Sequence, residues 1–323
     1  MRTVDIVVPC YNEAEMLEMF HEKVSQVVGE IPGYEFTFYL VDDGSRDETL
    51  SIMERLAEKD KHVKYISFSR NFGKESAMYA GLKATTGDLV VIIDADLQHP
   101  PELIPEMLKA IDEEGYDTCS ARRVSREGEP KIRSWFARAF YRLINRMSEV
   151  EIVDGAVDFR MMNRAMVDAI LELPEVQRFS KGIFSWVGFK TKWIEFKNIE
   201  RIAGETKWSF WSLLKYAISG ITAFTTVPLR LATVCGVTIS VSAFIYLMIE
   251  LIKNLVTKNN VPGYASTIII ILFIGGITIL FCGILGEYIA RMYMETKRRP
   301  IFITRRTNIE QKKTEEAKNG RND

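Results

Sequence analysis

The sequence predicts an α/β protein: a doubly wound, mainly parallel sheet followed by interfacial helices and two C-terminal transmembrane helices. Three observations carry this. Five short apolar runs, each ended by a polar cluster, alternate with helical segments over residues 3–123. One of them, residues 89–93, is unbroken Leu-Val-Val-Ile-Ile, as for a strand buried on both faces. Further on, residues 231–252 and 264–286 are each apolar and long enough to cross ~30 Å of hydrocarbon at ~1.5 Å per residue.

The first strand, residues 3–8, is β-branched and stops at Pro9; Asn12 and Glu15 then have the spacing of a capping box for a helix. The second, residues 36–41, ends in Asp42-Asp43-Gly44, and Ser45 and Glu48 repeat that spacing. The third, residues 63–68, ends at Ser69-Arg70-Asn71, before a helix that contains residues 77–84. The fourth runs into Asp94-Ala95-Asp96, after which Pro100-Pro101 opens a helix. The fifth, residues 116–121, ends at Arg122-Arg123. Gathering these ends on one edge makes a single polar site, where open α/β sheets bind ligands. Asp94 and Asp96 are costly so close together without a counter-charge. Either they cap the next helix, or a divalent ion bridges them to a substrate diphosphate, since Mg²⁺ is commonly held by one or two carboxylates plus phosphate oxygens.

Composition removes other classes. A net charge of −1 over 323 residues gives no global field for nucleic acid. Cys10, Cys119, Cys235 and Cys282 are far apart, without zinc or disulfide spacing, which suits a reducing compartment. No GxGxxG follows the first strand and no GxxxxGK[ST] occurs, so dinucleotide and P-loop chemistry lose their signatures. The N-terminus enters a strand directly, so no secretory signal is expected. The polar, charged tail after Arg305 reads as disordered.

Residues 133–147 place Trp135, Phe136, Ala139, Phe140, Leu143, Ile144 and Met147 on one helical stripe, with Arg138, Arg142 and Arg146 beside it. With membrane spans downstream, this reads as a helix lying in a membrane interface; a core-packed helix with a basic face is the alternative. Residues 208–229 give an aromatic approach (Trp208, Phe210, Trp211) to a hairpin at 230–290, whose loop spans residues 253–263. From Arg291 onward, ten Lys or Arg face five acids. The positive-inside rule then puts this tail, residues 291–323, and the sheet on the cytoplasmic side.

The stretches VVPCYNEAE, VDDGSRDET, NFGKESAMYAGLKATTGD and DADLQHPPELI resemble the successive motifs of family 2 inverting glycosyltransferases with the GT-A fold. More narrowly, they resemble the polyprenyl-phosphate glycosyltransferases, over about residues 3–290. The resemblance implies a cytoplasmic GT-A domain over residues 1–207 in which Pro9, Tyr11, Asn12, Glu13 and Asp43 bind the nucleotide. It implies that Asp94, Asp96 and Gln98 surround a Mg²⁺ or Mn²⁺ on the diphosphate. Arg201 and Lys207 match an R-x-x-G-x-[ST]-K loop and would close over the reacting phosphates with Arg122 and Arg133. Val157-Asp158-Phe159-Arg160 resembles the acceptor segment. Asp158 is then a general base, or a positioning partner for Arg160 or the acceptor. A phosphate monoester has a second pKa of about 6, so such an acceptor is already nucleophilic. Residues 176–179, Val-Gln-Arg-Phe, do not match QxxRW, which disfavours polymer synthesis.

The reaction so implied moves a sugar from a UDP-sugar, glucose foremost, to undecaprenyl phosphate at the bacterial inner membrane. UDP-GlcNAc, a UDP-aminoarabinose derivative and GDP-mannose are alternative donors. A flippase and a membrane glycosyltransferase would take the product, and the resemblance leaves room for a homo-oligomer. A different class, a non-catalytic scaffold that binds nucleotide sugar, has Asp94, Asp96, Arg201 and Lys207 against it.

Overall fold

The computed structural model describes residues 1–124, 145–147, 153–173, 175–196, 222, 225–257 and 264–310. The chain forms two compact units, one of Met1–Tyr141, Ile152–Trp208 and Pro300–Asp323, the other of Arg142–Glu151 and Ser209–Arg299. Most of the interfacial helix expected at 133–147 and of the approach at 208–229 lies outside the described residues.

In the first unit, β1 (Arg2–Cys10), α1 (Leu17–Gly29), β2 (Tyr34–Asp42), α2 (Thr49–Lys59), β3 (Val63–Phe68), α3 (Lys74–Ala84) and β4 (Leu89–Ile92) alternate as expected. After them come α4 (Ile104–Asp112), β5 (Thr118–Arg123), β6 (Ala156–Asn163), α5 (Arg164–Glu172), α6 (Ser180–Trp186), β7 (Thr191–Phe196) and, much later, β8 (Thr304–Thr307). The sheet order is β7-β5-β6-β4-β1-β2-β3-β8. Strands β3, β2, β1 and β4 run parallel. Chain order reverses between β1 and β4, the switch point at which such sheets bind ligands.

Alternation along β1 explains the two helical layers. Val4, Ile6, Val8 and Cys10 join a core with Leu17, Phe20 and Val24 of α1, Met53 of α2, and Ile104, Met107 and Leu108 of α4. Val7 points to the other face, against α3, where Gly81 lets the helix approach; a Cβ there would lie 2.2 Å from Val7 Cγ1. The fully buried Ile6, Leu40, Leu89 and Ile92 each stabilise the sheet by roughly 1.5–3 kcal/mol.

β6 pairs antiparallel with both β4 and β5. Its N-terminal residues therefore reach the edge where the parallel strands end.

The start of the tail departs from expectation. Residues 304–307 are an edge strand antiparallel to β3, so the chain just after Arg305 is ordered, while residues 311–323 lie outside the described residues. Asn308 Oδ1 accepts from Tyr65 N at 2.8 Å, Thr307 Oγ1 donates to Tyr65 O at 2.7 Å, and Phe302 stacks on Phe68 at 5.0 Å. Arg306 pairs with Glu54 at 3.1 Å. A polar segment thus covers an otherwise open sheet edge through hydrogen bonds that hydrophobic patterning does not register.

In the second unit, α7 (Val227–Thr257) and α8 (Tyr264–Thr296) form the apolar hairpin, with helix persisting to Thr257 where a loop was expected from residue 253. Val227–Tyr246 and Phe273–Thr296 are long and apolar enough to cross a membrane. Tyr288 Oη donates to Thr225 O at 2.7 Å.

Gly81→Ala is expected to destabilise the protein by about 1–3 kcal/mol, because buried Val7 cannot yield to the new methyl. Thermal unfolding of the purified full chain reads this as a clear fall in Tm; an unchanged Tm would show that α3 and β1 pack more loosely than described.

Candidate active site

The loops at the C-terminal ends of β1, β2, β3 and β4 are tied to one another before they bind anything. Asn12 is in the left-handed region at φ 53° and its N–H donates to Ser45 Oγ at 2.9 Å. Its own Oδ1 accepts from Arg46 N at 2.9 Å, and Glu13 N donates to Thr49 Oγ1 at 2.9 Å. Asn12 is therefore a loop clasp and not the expected helix cap; α1 starts only at Leu17, with no side-chain cap. Ser45 likewise holds the Asn12 loop, and α2 begins at Thr49 behind an uncapped Glu48. Pro9 is buried in β1 opposite Val41, and Tyr11 and Glu13 are half-buried beyond it.

Asp43 is 3% exposed, and its carboxylate accepts from Phe72 N at 2.6 Å and Gly73 N at 2.9 Å. Burial pushes its pKa up to about 6 despite those bonds. Gly44, at φ 66°, is required next to it: a Cβ would meet the Arg70 carbonyl carbon at 2.4 Å. The second strand end so holds the third, and with it the start of α3.

Lys74, the first residue of α3, is the centre of the site. Its Nζ lies 2.7 Å from Asp94 Oδ1, 2.8 Å from Asp94 Oδ2 and 2.6 Å from Asp158 Oδ2. Asp94 sits two residues past Ile92, and Asp158 two residues before Arg160, the register partner of Ile92 on β6. The antiparallel pairing thus carries both carboxylates to one place. Lys74 is an exposed side chain whose ammonium the site partly desolvates; that opposes its charge, but Asp158 and Asp94 outweigh it and hold its pKa above normal. Burial would likewise raise Asp158, but Lys74 and then Lys181 overcome it and hold that carboxyl well below the usual range.

Around this bridge stand groups that sequence reasoning missed. Glu75 accepts from Ser180 N at 3.0 Å and from Ser180 Oγ, and burial followed by the nearby Asp158 charge lifts its pKa to about 7. His99 is 8% exposed, packed between Phe159 and Phe196, with Nδ1 3.8 Å from Asp94 Oδ2. Burial lowers its pKa. Arg160, the expected partner of Asp158, lays its guanidinium over Phe184 at 3.8 Å; burial lowers its pKa, and the Asp158 charge opposes that lowering. Arg178, in the segment compared with QxxRW, donates to Leu173 O and Ile170 O, which is a structural role.

Asp96 Oδ1 accepts from Gln98 N at 3.1 Å, across Leu97 at φ 53°. Among the described residues no cluster of three or more Asp, Glu, His or Cys is placed to hold an ion. Asp94 and Asp96 with the half-buried Gln98 are an all-oxygen partial set, which fits a hard cation that takes its remaining ligands from a diphosphate. Arg122 lies on the same edge, paired in register with Ala156 of β6, and its Nε donates to Asp154 O at 3.1 Å. Arg133, Arg201 and Lys207 lie outside the described residues.

A mainly parallel sheet of this order, with its acidic loops gathered at the switch point, is the GT-A scaffold of a sugar transferase. The chain belongs to glycosyl transferase family 2, whose model matches residues 5–171; a GtrB C-terminal hairpin matches residues 227–292. It is 42% identical over 303 residues to the prophage bactoprenol glucosyl transferase homolog of Escherichia coli, covering 94% of this chain and 98% of that one. It is 42% identical over 300 residues to the bactoprenol glucosyl transferase of Shigella phage SfX, covering 93% and 98%. An uncharacterized glycosyltransferase of Synechocystis is 40% identical over 300 residues, covering 93% and 94%.

Glu75 supplies a pH test. An acid with its native pKa raised from 4.5 to about 7 binds its proton more tightly when folded, so its contribution to stability falls as pH rises through that window. Relative to wild type, Glu75→Gln should gain Tm progressively from pH 5 to 7 and level off above. A pH-independent difference would contradict the burial of this carboxyl.

Proposed function

We propose that the chain is a membrane-anchored, metal-dependent inverting transferase that moves glucose from UDP-glucose to undecaprenyl phosphate. The observation that carries this is 42% identity across 94% of the chain to a relative named for bactoprenol glucosyl transfer. The matched C-terminal hairpin and its two membrane-length helices support it.

The site chemistry agrees. A lipid phosphate is largely dianionic at neutral pH, so it needs charge compensation and aim more than a base. Asp158, held ionised against Lys74, is a poor proton acceptor and suits a positioning role. Asp94, Asp96 and Gln98 would hold a Mg²⁺ or Mn²⁺, which when bound neutralises charge on the departing UDP. The laced loops around Pro9, Tyr11, Asn12, Glu13 and Asp43 would take the uridine. Arg122, Arg133, Arg201 and Lys207 would gather the acceptor phosphate. Its oxygen attacks C1 of the sugar from the face opposite UDP; the C1–O bond to the diphosphate breaks and the anomeric configuration inverts. The excess of basic residues beyond Arg291 supports a cytoplasmic placement of the catalytic unit at the inner membrane. A flippase and a second membrane glycosyltransferase would use the product.

The test is a donor panel on detergent-solubilised protein with undecaprenyl phosphate, following radiolabel into the organic phase with and without EDTA. Label from UDP-glucose alone, abolished by EDTA and in Asp96→Asn, is expected. Label from a different sugar nucleotide would overturn the glucose assignment, and full activity of Asp96→Asn would overturn the metal assignment.

A further inference from the structure

Lys74 is in an unusual place for a cation. It is the first residue of α3, at the positive end of the helix dipole, where a cation is disfavoured. It is also 43% exposed, so water alone could have solvated it elsewhere. Instead its Nζ spans both oxygens of Asp94, at 2.7 and 2.8 Å, while reaching Asp158 at 2.6 Å. Those Asp94 oxygens are ones a divalent ion on the donor would need. An ammonium bonded to both leaves the acidic pair short of a strong ligand. Asp158, by contrast, is no part of the proposed ligand set, and can keep the lysine when Asp94 is given up.

We propose that Lys74 is the resident counter-ion of the metal site, which cedes Asp94 only when ion and donor diphosphate arrive together and stays anchored through Asp158. This rests on the reading of Asp94 and Asp96 as ligands of an ion on the donor. It makes Lys74 a positioning residue with two states. Without donor it neutralises the two carboxylates and opposes binding of the ion alone. With donor, its freed donor hydrogens turn to the diphosphate. Because the ion and the diphosphate each favour the same released lysine, they bind cooperatively, and the coupling is reciprocal.

The experiment measures Mn²⁺ binding to the full chain in detergent by electron paramagnetic resonance of the free ion, with and without UDP. Wild type should bind Mn²⁺ weakly alone and about tenfold or more tighter with UDP. Lys74→Met and Lys74→Gln, both checked for wild-type circular dichroism, should bind Mn²⁺ alone about tenfold tighter than wild type and show a UDP enhancement smaller by about the same factor, what remains being direct coordination of the ion by the diphosphate. Two neutral variants of different shape keep one poorly folded protein from deciding the outcome. If wild type shows the UDP enhancement and both variants match it, the counter-ion role is overturned while the ligand assignment stands. If wild type binds no Mn²⁺ even with UDP, the ligand assignment fails and this inference with it.

Discussion

The Lys74 ammonium lies between the carboxylates of Asp94 and Asp158, and much of the fold's edge is arranged so that these three groups can meet. Asp94 comes from the end of β4, at the switch point. Asp158 comes from β6, and only because that strand runs antiparallel does its beginning fall beside the end of β4. Lys74 is brought by α3, whose entry is fixed by Asp43 holding Phe72 and Gly73 N–H, and by Gly44 allowing the Arg70 backbone to close in. Two carboxylates that would repel each other are thereby compensated by one cation from a third element.

Much of this was legible in the sequence. β-branched runs mark β1 to β4 well, since strands buried on both faces need continuous apolar residues; residues 63–68 match β3 residue for residue. The acidic and basic clusters at strand ends do fall on one edge. Capping did not read correctly: Asn12 and Ser45 have box spacing but bond to each other's loops, because residues 33 positions apart meet there. Local spacing cannot report such a contact. Lys74 was passed over although it stands in a quoted motif. A lysine opening a helix runs against the dipole, and that was the available signal. Asp158 does feel its neighbour Arg160, but its close contact is Lys74, 84 positions away, which local spacing cannot report. β8 was missed because its stabilisation comes from backbone and Asn308 and Thr307 side-chain bonds to β3.

After the apolar hairpin the chain returns to the sheet. Seven residues separate Thr296 at the end of α8 from Thr304 at the start of β8. The catalytic unit is thus joined to the hairpin by chain on both sides of it. The tail also touches the site's support: Ile303 O accepts from Ser69 N at 2.9 Å, just before the loop that Asp43 holds. Phe302 packs in the same cluster as Phe68 and Phe72.

A double-mutant cycle on thermal unfolding, with Lys74→Met, Asp158→Asn and the pair, tests the central interaction most directly. If Lys74 compensates Asp158, Lys74→Met leaves Asp158 and Asp94 to repel each other, Asp158→Asn leaves the lysine with Asp94 alone, and the double variant loses less than the sum of the two, with a coupling of about 1–3 kcal/mol. Partial exposure of the lysine keeps this below the value of a fully buried pair. Losses that simply add, within about 0.5 kcal/mol, would show that the two side chains do not depend on each other and would contradict the account.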